Sequence, residues 1–509
     1  MRNCLRTIPV VLRMPIILLG LVAVLAIDGA TTLRAQDETP PAVARLSLID
    51  GEASLLRGDD ASGWVGAAVN APLVAGDSVF AGPDSRAEIQ LDPNNILRLA
   101  EQTQVRVANL NEDQIQIEVS QGLMDFVVLQ DAALGEGTSL EPNVEIDTPN
   151  VAVRPQVPGV YRIQINSDSQ VEITVRKGRV EVFTSEGSTT VERGKTISIQ
   201  GTDSPEYQVA EAESPDDWDR WNKDRDHAIL EAQSWQYANR NYTGANDLDA
   251  YGEWVEVPGY NWCWTPRVDA GWAPYVNGRW VWEPVWGWTW VSSEPWGWAP
   301  YHYGRWFWNA NHWVWWPGPT EVGFRPPYAP AYVAFLGFGF GGHSFSFGQG
   351  YGFQQVGWVA LGPSDSCFPW WGRANTYRSM TITNATNITH VRRTYETSEA
   401  SNLARLPPLA SAQQPTRSNV QDMLNNPRVR ESIVTVPADG FAQGQATRQR
   451  QPLNLTKLSE AQLVSGTLPV VPTPESLRPG DGAARRRAQP ATPTNTRYLF
   501  ARTPSPAGH

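Results

Sequence analysis

The sequence predicts an all-β protein: two β domains joined by a short helix, with a signal segment before them and a tail behind. Three observations carry that prediction. Runs of alternating apolar and polar residues fill the stretch from about residue 42 to 201. A Gly-x-Trp unit recurs at a fixed interval of 26 residues, and 22 of the 23 tryptophans lie between Trp218 and Trp371. The 509 residues are 41% apolar and 10% aromatic, enough for sizeable cores and too much for a wholly disordered chain. A formal net charge of −12 argues against a nucleic-acid binder acting through overall charge.

At the N-terminus, Arg2, Arg6 and Arg13 precede an uncharged apolar run over 16–27. Twelve residues suit the hydrophobic part of a signal peptide and fall short of the roughly 20 that span a bilayer. Leu33-Arg34-Ala35 before Gln36 supplies a cleavage site, so 1–35 is expected to be removed. The alternative is an uncleaved anchor lengthened by Met14 and Pro15. Either way the chain is expected to be exported, to the periplasm or cell envelope, with no membrane span after cleavage.

Residues 42–205 form the first domain. Ala87-Glu88-Ile89-Gln90-Leu91, Gln114 to Val119, Val160 to Ile165 and Val171 to Val175 each place alternate side chains on one face. Such strands bury one face and wet the other, and no helical window interrupts them, so a βαβ enzyme fold is not expected. Gly51-Glu52-Ala53, Leu73, Gly76-Asp77-Ser78-Val79, the run Ile146 to Val153 and Lys177-Gly178-Arg179-Val180-Glu181-Val182 together resemble a FecR-type domain. That resemblance implies a periplasmic β-solenoid or β-sandwich. In regulatory members it relays the state of an outer-membrane transporter to an anti-sigma segment across the inner membrane. With the apolar run beginning near residue 16, a cytoplasmic anti-sigma segment is not expected here.

A linking helix is expected over 214–245. Ser214 can cap it, Pro215 suits a first turn, and Asp216 and Asp217 suit the positive end of the dipole. Trp218, Trp221, Ala228, Ala232 and Trp235 then recur at three- and four-residue spacing, a stripe for packing on a neighbouring domain.

The second domain, 247–390, is the repeat. Gly252-Glu253-Trp254, Gly278-Arg279-Trp280 and Gly304-Arg305-Trp306 are copies, as are Gly271-Trp272-Ala273-Pro274-Tyr275 and Gly297-Trp298-Ala299-Pro300-Tyr301. A fixed period means a supersecondary unit in tandem. Trp alternating with smaller residues, punctuated by Gly and Pro, reads as about three β-hairpins whose tryptophans stack into a ladder. These blocks, with Asp247 to Trp254, Tyr328-Ala329-Pro330-Ala331 and Gly357 to Pro363, resemble the Trp-rich domain of unknown function that follows FecR domains in exported bacterial proteins. The resemblance implies architecture and an exported setting, without an activity. Phe338, Phe340, Phe345 and Phe347 suggest a further hairpin. Beyond it, 396–509 is rich in Pro, Gln and Arg, and reads as a disordered basic tail whose densest cluster is Arg485-Arg486-Arg487.

Motifs for chemistry are missing from the sequence. Gly337 to Gly342 fits G-x-G-x-x-G but opens no helix, and the six histidines include no H-E-x-x-H pair. No catalytic residue, metal ligand or cofactor is expected. His302 and His312 read as polar rim residues of the repeats. Aromatic faces can stack on sugars or enclose cations, so Trp272, Tyr275, Trp298 and Tyr301, with Arg279 and Arg305, are the candidate binding residues. The competing reading makes the same tryptophans the hydrophobic filler of a small β-repeat. Cys263 and Cys367, the two cysteines left after cleavage, either form a disulfide in an oxidising compartment or stay as separate buried thiols. The expected function is non-catalytic binding or scaffolding in the envelope. Glycan or peptidoglycan recognition by the Trp repeats and a sensor role related to FecR signalling are the alternatives. The expected partner is cell-wall glycan or an envelope protein.

Overall fold

Alternation along the first domain becomes two layers of strands. The computed structural model describes residues 42–480 apart from 59–62, 112, 130–142, 168, 320–326, 340–352, 372–406, 445–452, 454, 460, 465, 467 and 469. The expected signal peptide, residues 1–35, lies outside the described residues, and from residue 41 onward the chain is one unit. Among the described residues, seventeen strands between Ala44 and Glu211 are connected by pairing. One layer runs through Ala44–Asp50, Arg86–Gln90, Asn95–Leu99, Gly159–Ser167, Gln170–Lys177, Lys195–Gln200 and Glu206–Glu211. The other contains Ala53–Leu56, Ser78–Ala81, Gln104–Leu110, Asn143–Asp147, Ala152–Pro155, Arg179–Thr184 and Gly187–Glu192.

The long strand Gln114–Val128 belongs to both layers. Its first half pairs with Gln104–Leu110 and Asn143–Asp147, its second half with Asn95–Leu99 and Gly159–Ser167. The switch falls at Gly122, whose φ of +90° suits glycine and whose missing side chain leaves room for Thr103. Alternating residues such as Ile115, Ile117 and Val119, or Val171, Ile173 and Val175, are buried between the layers in one aliphatic cluster. Of the two expected forms, the sandwich describes this arrangement.

The helix spans Asp217–Leu230. Its cap is Asp216, which accepts from the Asp219 backbone N–H while the Asp219 side chain returns the bond. Ser214 and Pro215 therefore precede the cap, a correction to the expected start. The reciprocal capping box satisfies two helix N–H groups at once, more than serine alone could. Trp235 lies in a separate short turn, Gln233–Gln236.

Three hairpins follow: Gly252–Val257 with Asn261–Pro266, Gly278–Glu283 with Gly287–Ser292, and Arg305–Asn309 with His312–Trp316. Each sets one tryptophan opposite another, Trp254 with Trp264, Trp280 with Trp290, and Trp306 with Trp315. The last interval is one residue short because the third turn has only two residues between its paired ends. Ala310 and Asn311 both adopt positive φ there, as a tight type I′ turn requires. The glycine that opens each unit has its own cause. A Cβ on Gly252, Gly278 or Gly304 would come within 2.3–2.5 Å of the ring of Trp264, Trp290 or Trp315. Each glycine is the floor on which the opposite indole lies.

The hairpins do not stack in chain order as expected. The first and third join as one four-stranded sheet through Trp264 and Trp315, while the middle one forms its own two-stranded sheet. The hairpin suggested by the alternating phenylalanines falls on Phe340, Phe345 and Phe347, which lie outside the described residues. A further hairpin pairs Val333–Phe338 with Gln355–Ala360. This hairpin takes strands from far downstream: Val434–Pro437 along one side and Gln462–Val464 along the other. Residues 407–444 and much of 453–480 are thus part of the fold, which corrects the disordered tail expected from 396. The reason is concealed in its composition. Val429, Ile433, Val434, Val436 and Phe441 are few, but all are buried in the aromatic core.

Candidate functional site

The rings named from the sequence divide sharply by burial. Tyr275, Trp298 and Tyr301 are wholly buried. The Tyr275 hydroxyl donates to the Tyr301 carbonyl at 2.7 Å and accepts from the Tyr332 N–H at 2.9 Å. Arg305 is buried with its guanidinium 3.8 Å from the Tyr332 ring centre, so it covers a ring. Arg279 donates to the Gly480 carbonyl at 2.6 Å and ties the downstream segment in place. His302 is no rim residue: it is buried between Trp298 and Tyr328, and burial lowers its pKa to about 3. Cys263 and Cys367 are free thiols in different core clusters, so the expected disulfide is not formed. Burial raises both thiol pKa values, to about 12 and about 11, which leaves them poor nucleophiles.

Trp272 alone of these rings opens onto a surface depression. With Arg267, Val268, Asp269, Ala270, Gly271, Val276, Asn277 and Glu294 it lines a cleft of about 890 Å³. Its indole N–H donates to Glu294 Oε1 at 2.5 Å, which fixes the ring plane. Glu294 is the keystone. The same oxygen accepts from Asn277, and the other accepts from Ser292 and Tyr301. Burial raises its pKa against these four donors. Glu294 was invisible as a motif, although the residues 26 before and after it are Val268 and Thr320. A carboxylate that breaks the repeat was the available signal.

The cleft is tied to the first domain. Asn70, buried there, donates from its amide to the carbonyls of Ser292 at 3.3 Å and Glu294 at 2.8 Å. Nearby, buried Arg57 bridges Asp77 at 2.6 Å and Glu283 of the middle hairpin at 2.5 Å. Glu283 also breaks the repeat, standing where the neighbouring units have Val257 and Asn309. The linking helix makes a second charged seam. Glu88 accepts from Arg98 and Arg225, and Arg98 reaches Asp226 on the helix. Burial alone would raise the Glu88 pKa, but the two guanidinium groups prevail and hold it at about 2. Arg45 meets Asp247 at 2.6 Å. Trp218 donates its indole N–H to Asp125 at 2.8 Å, and burial pushes that carboxyl up to about 7.

Two family models match the chain, the FecR protein family over residues 77–181 and a family of unknown function, DUF6600, over 245–365. The chain carries a FecR domain followed by a DUF6600 domain. The FecR match lies within the two-layer sandwich, and the DUF6600 match contains the three hairpins and the Trp272 cleft. Two crystal structures of a proposed anti-sigma factor from Parabacteroides distasonis are similar at 18% and 17% identity, each with a TM-score of 0.22. Each covers 27% of this chain, and the chain spans 60% of that protein. No curated protein matches. Among the described residues no helix is long and apolar enough to cross a membrane.

Proposed function

We propose that this chain is an exported, non-catalytic scaffold of the cell envelope in which the DUF6600 domain acts as a rigid extension of the FecR domain. The observation that carries this reading is the buried Arg57 bridge between Asp77 and Glu283. Charges buried at a contact hold their partners in one arrangement, because separating them by small slips leaves an unpaired ion out of water. FecR domains in regulatory proteins transmit a state from one partner to another, and the rigid seam suits either that relay or a static scaffold.

A second reading follows from the Trp272 cleft. A fixed indole face beside Asp269, Arg267 and Asn277 offers stacking and hydrogen bonds to a sugar, the chemistry expected of cell-wall glycan recognition. Retention of the full chain on isolated cell wall tests it, comparing the wild type with Trp272→Ala. Loss of retention with an unchanged circular dichroism spectrum supports the cleft. Equal retention assigns attachment to another surface and removes the glycan reading.

A further inference from the structure

The first domain is open at one end. Glu206–Glu211 is the last strand of its layer and, among the described residues, pairs only with Lys195–Gln200. Tyr207 stands opposite Ile199 and Val209 opposite Ile197, so both point to the side on which those isoleucines are wholly buried. Yet Tyr207 is 55% and Val209 46% exposed. The opposing layer ends at Gly187–Glu192, whose described pairing is with Arg179–Thr184 alone, and it leaves them uncovered. Two inward-facing apolar side chains beside an unpaired strand edge are a template for another strand.

The ladder decides which residues that strand would meet. The Gly201 N–H donates to the Ser169 carbonyl at 2.7 Å, so odd-numbered residues of Lys195–Gln200 turn their backbone groups to Gln170–Lys177 and even-numbered ones to Glu206–Glu211. The Ala212 N–H, which donates to the Gly194 carbonyl at 2.8 Å, keeps the same alternation. Glu206, Gln208 and Ala210 therefore bond inward, whereas Tyr207, Val209 and Glu211 present their backbone groups to the open edge.

An antiparallel copy of the same strand must then set odd positions against odd. One register puts Tyr207 opposite Val209 of the second copy, and Val209 opposite its Tyr207, with Gln208 on the twofold axis. Glu206 then faces Ala210 and Glu211 faces Pro205, so no acid meets an acid. Sliding by two residues replaces both Tyr–Val pairs, setting Tyr207 against Glu211 in one direction and Val209 against Pro205 in the other. We propose that the chain forms a symmetric dimer through this edge, two copies of Glu206–Glu211 pairing antiparallel about Gln208. Exchanged backbone hydrogen bonds and the Tyr–Val cross-strand pairs hold it, each copy's Tyr207 shielding the other's Val209. A contact one strand wide is small, so the dimer is concentration-dependent and not permanent.

Sedimentation of the full chain over a hundred-fold range of concentration, beside Val209→Pro and Tyr207→Lys, tests the dimer. The wild-type mass should climb towards twice that of the chain, while both variants stay single at every concentration. Proline at 209 removes an edge N–H and no bond of the existing ladder, and Tyr207→Lys alters an exposed side chain, so both should keep the wild-type circular dichroism spectrum. In a Cys4→Ser background, Gln208→Cys tests the register. Residues facing each other on the axis form a non-hydrogen-bonded pair about 4.5 Å apart at Cα, within disulfide reach. Mild oxidation should cross-link two chains through position 208 at least ten-fold faster than through Val209→Cys. A wild type that stays monomeric throughout overturns the proposal, as does association that a folded variant retains. Equal cross-linking at 208 and 209 overturns the register.

Discussion

The two domains solve the same packing problem with different materials. The FecR domain fills the space between two layers with Val, Ile, Leu and Ala. The DUF6600 domain has small, separate sheets that enclose little volume, and it fills the gaps with rings. Eight of its tryptophans are among the largest fully buried side chains of the protein. Rings also perform a second task there. Indole N–H groups of Trp264, Trp306, Trp315, Trp358 and Trp370 donate to carbonyls of Leu248, Pro300, Tyr303, Tyr275 and Trp288. Irregular backbone that no ladder satisfies is thus satisfied by the core itself. An aliphatic core needs regular sheets around it, whereas an indole core tolerates loops.

The largest effect that would break this comparison is removal of residues 407 onward. Losing the burial of Val429, Ile433, Val434, Val436 and Phe441 forfeits about 1.5–3 kcal/mol for each large side chain, comparable in sum to the whole stability of a domain. Limited proteolysis should show the DUF6600 domain cut quickly while a FecR-domain fragment survives. A truncated protein that resists as well as the full chain would mean the downstream strands are ornament.

Single rings come next. Trp290→Ala should cost about 3–5 kcal/mol, while Ile173→Val in the FecR domain should cost about 0.5–1.5 kcal/mol. Denaturant unfolding measures both. Near-equal costs would show that the rings are less tightly packed than their burial states.

The pH responses should have opposite signs. Asp125 and Asp147 are buried acids whose folded pKa values rise to about 7, in each case by desolvation. Protonation favours the fold, so their contribution is full below the ordinary carboxylate pKa near 4 and lost as pH rises to about 7. His302 is the reverse: held neutral at about 3, it costs stability as pH falls from about 6.5 towards 3. Glu88, held at about 2, acts in the same direction as His302, from about 4.5 downward. Melting temperature against pH for Asp125→Asn should lose part of the fall between pH 4 and 7. A curve parallel to the wild type would mean that Asp125 titrates normally. Smallest of all, Trp272→Ala should cost less than Trp290→Ala, because its ring is only half-buried at the cleft, although it leaves Glu294 one donor short.

What was legible in the sequence follows from the same contrast. Period two revealed the sandwich strands, and the 26-residue interval revealed the hairpins with their Gly–Trp contacts. Chain order could not reveal that the first and third hairpins join, since Trp264 and Trp315 meet only in space. Nor could composition reveal the downstream strands, where four-residue Val434–Pro437 relies on pairing with Gln355 to Trp358, far earlier in the chain. Alternation marks the rings as a class, but alone it cannot separate Trp272 at a cleft from Trp298 in a core. Glu283 and Glu294 were written plainly as breaks in the repeat, and their partners Arg57 and Asn70 had no local sign.

The central claim is that the FecR and DUF6600 domains act as one piece through the Arg57–Glu283 seam. Calorimetric unfolding of the full chain beside Arg57→Ala tests it most directly. One cooperative transition in the wild type should divide into two in the variant, with stability lower by about 3–5 kcal/mol as Asp77 and Glu283 are left buried without their cation. Two independent transitions in the wild type, unchanged by Arg57→Ala, would contradict it.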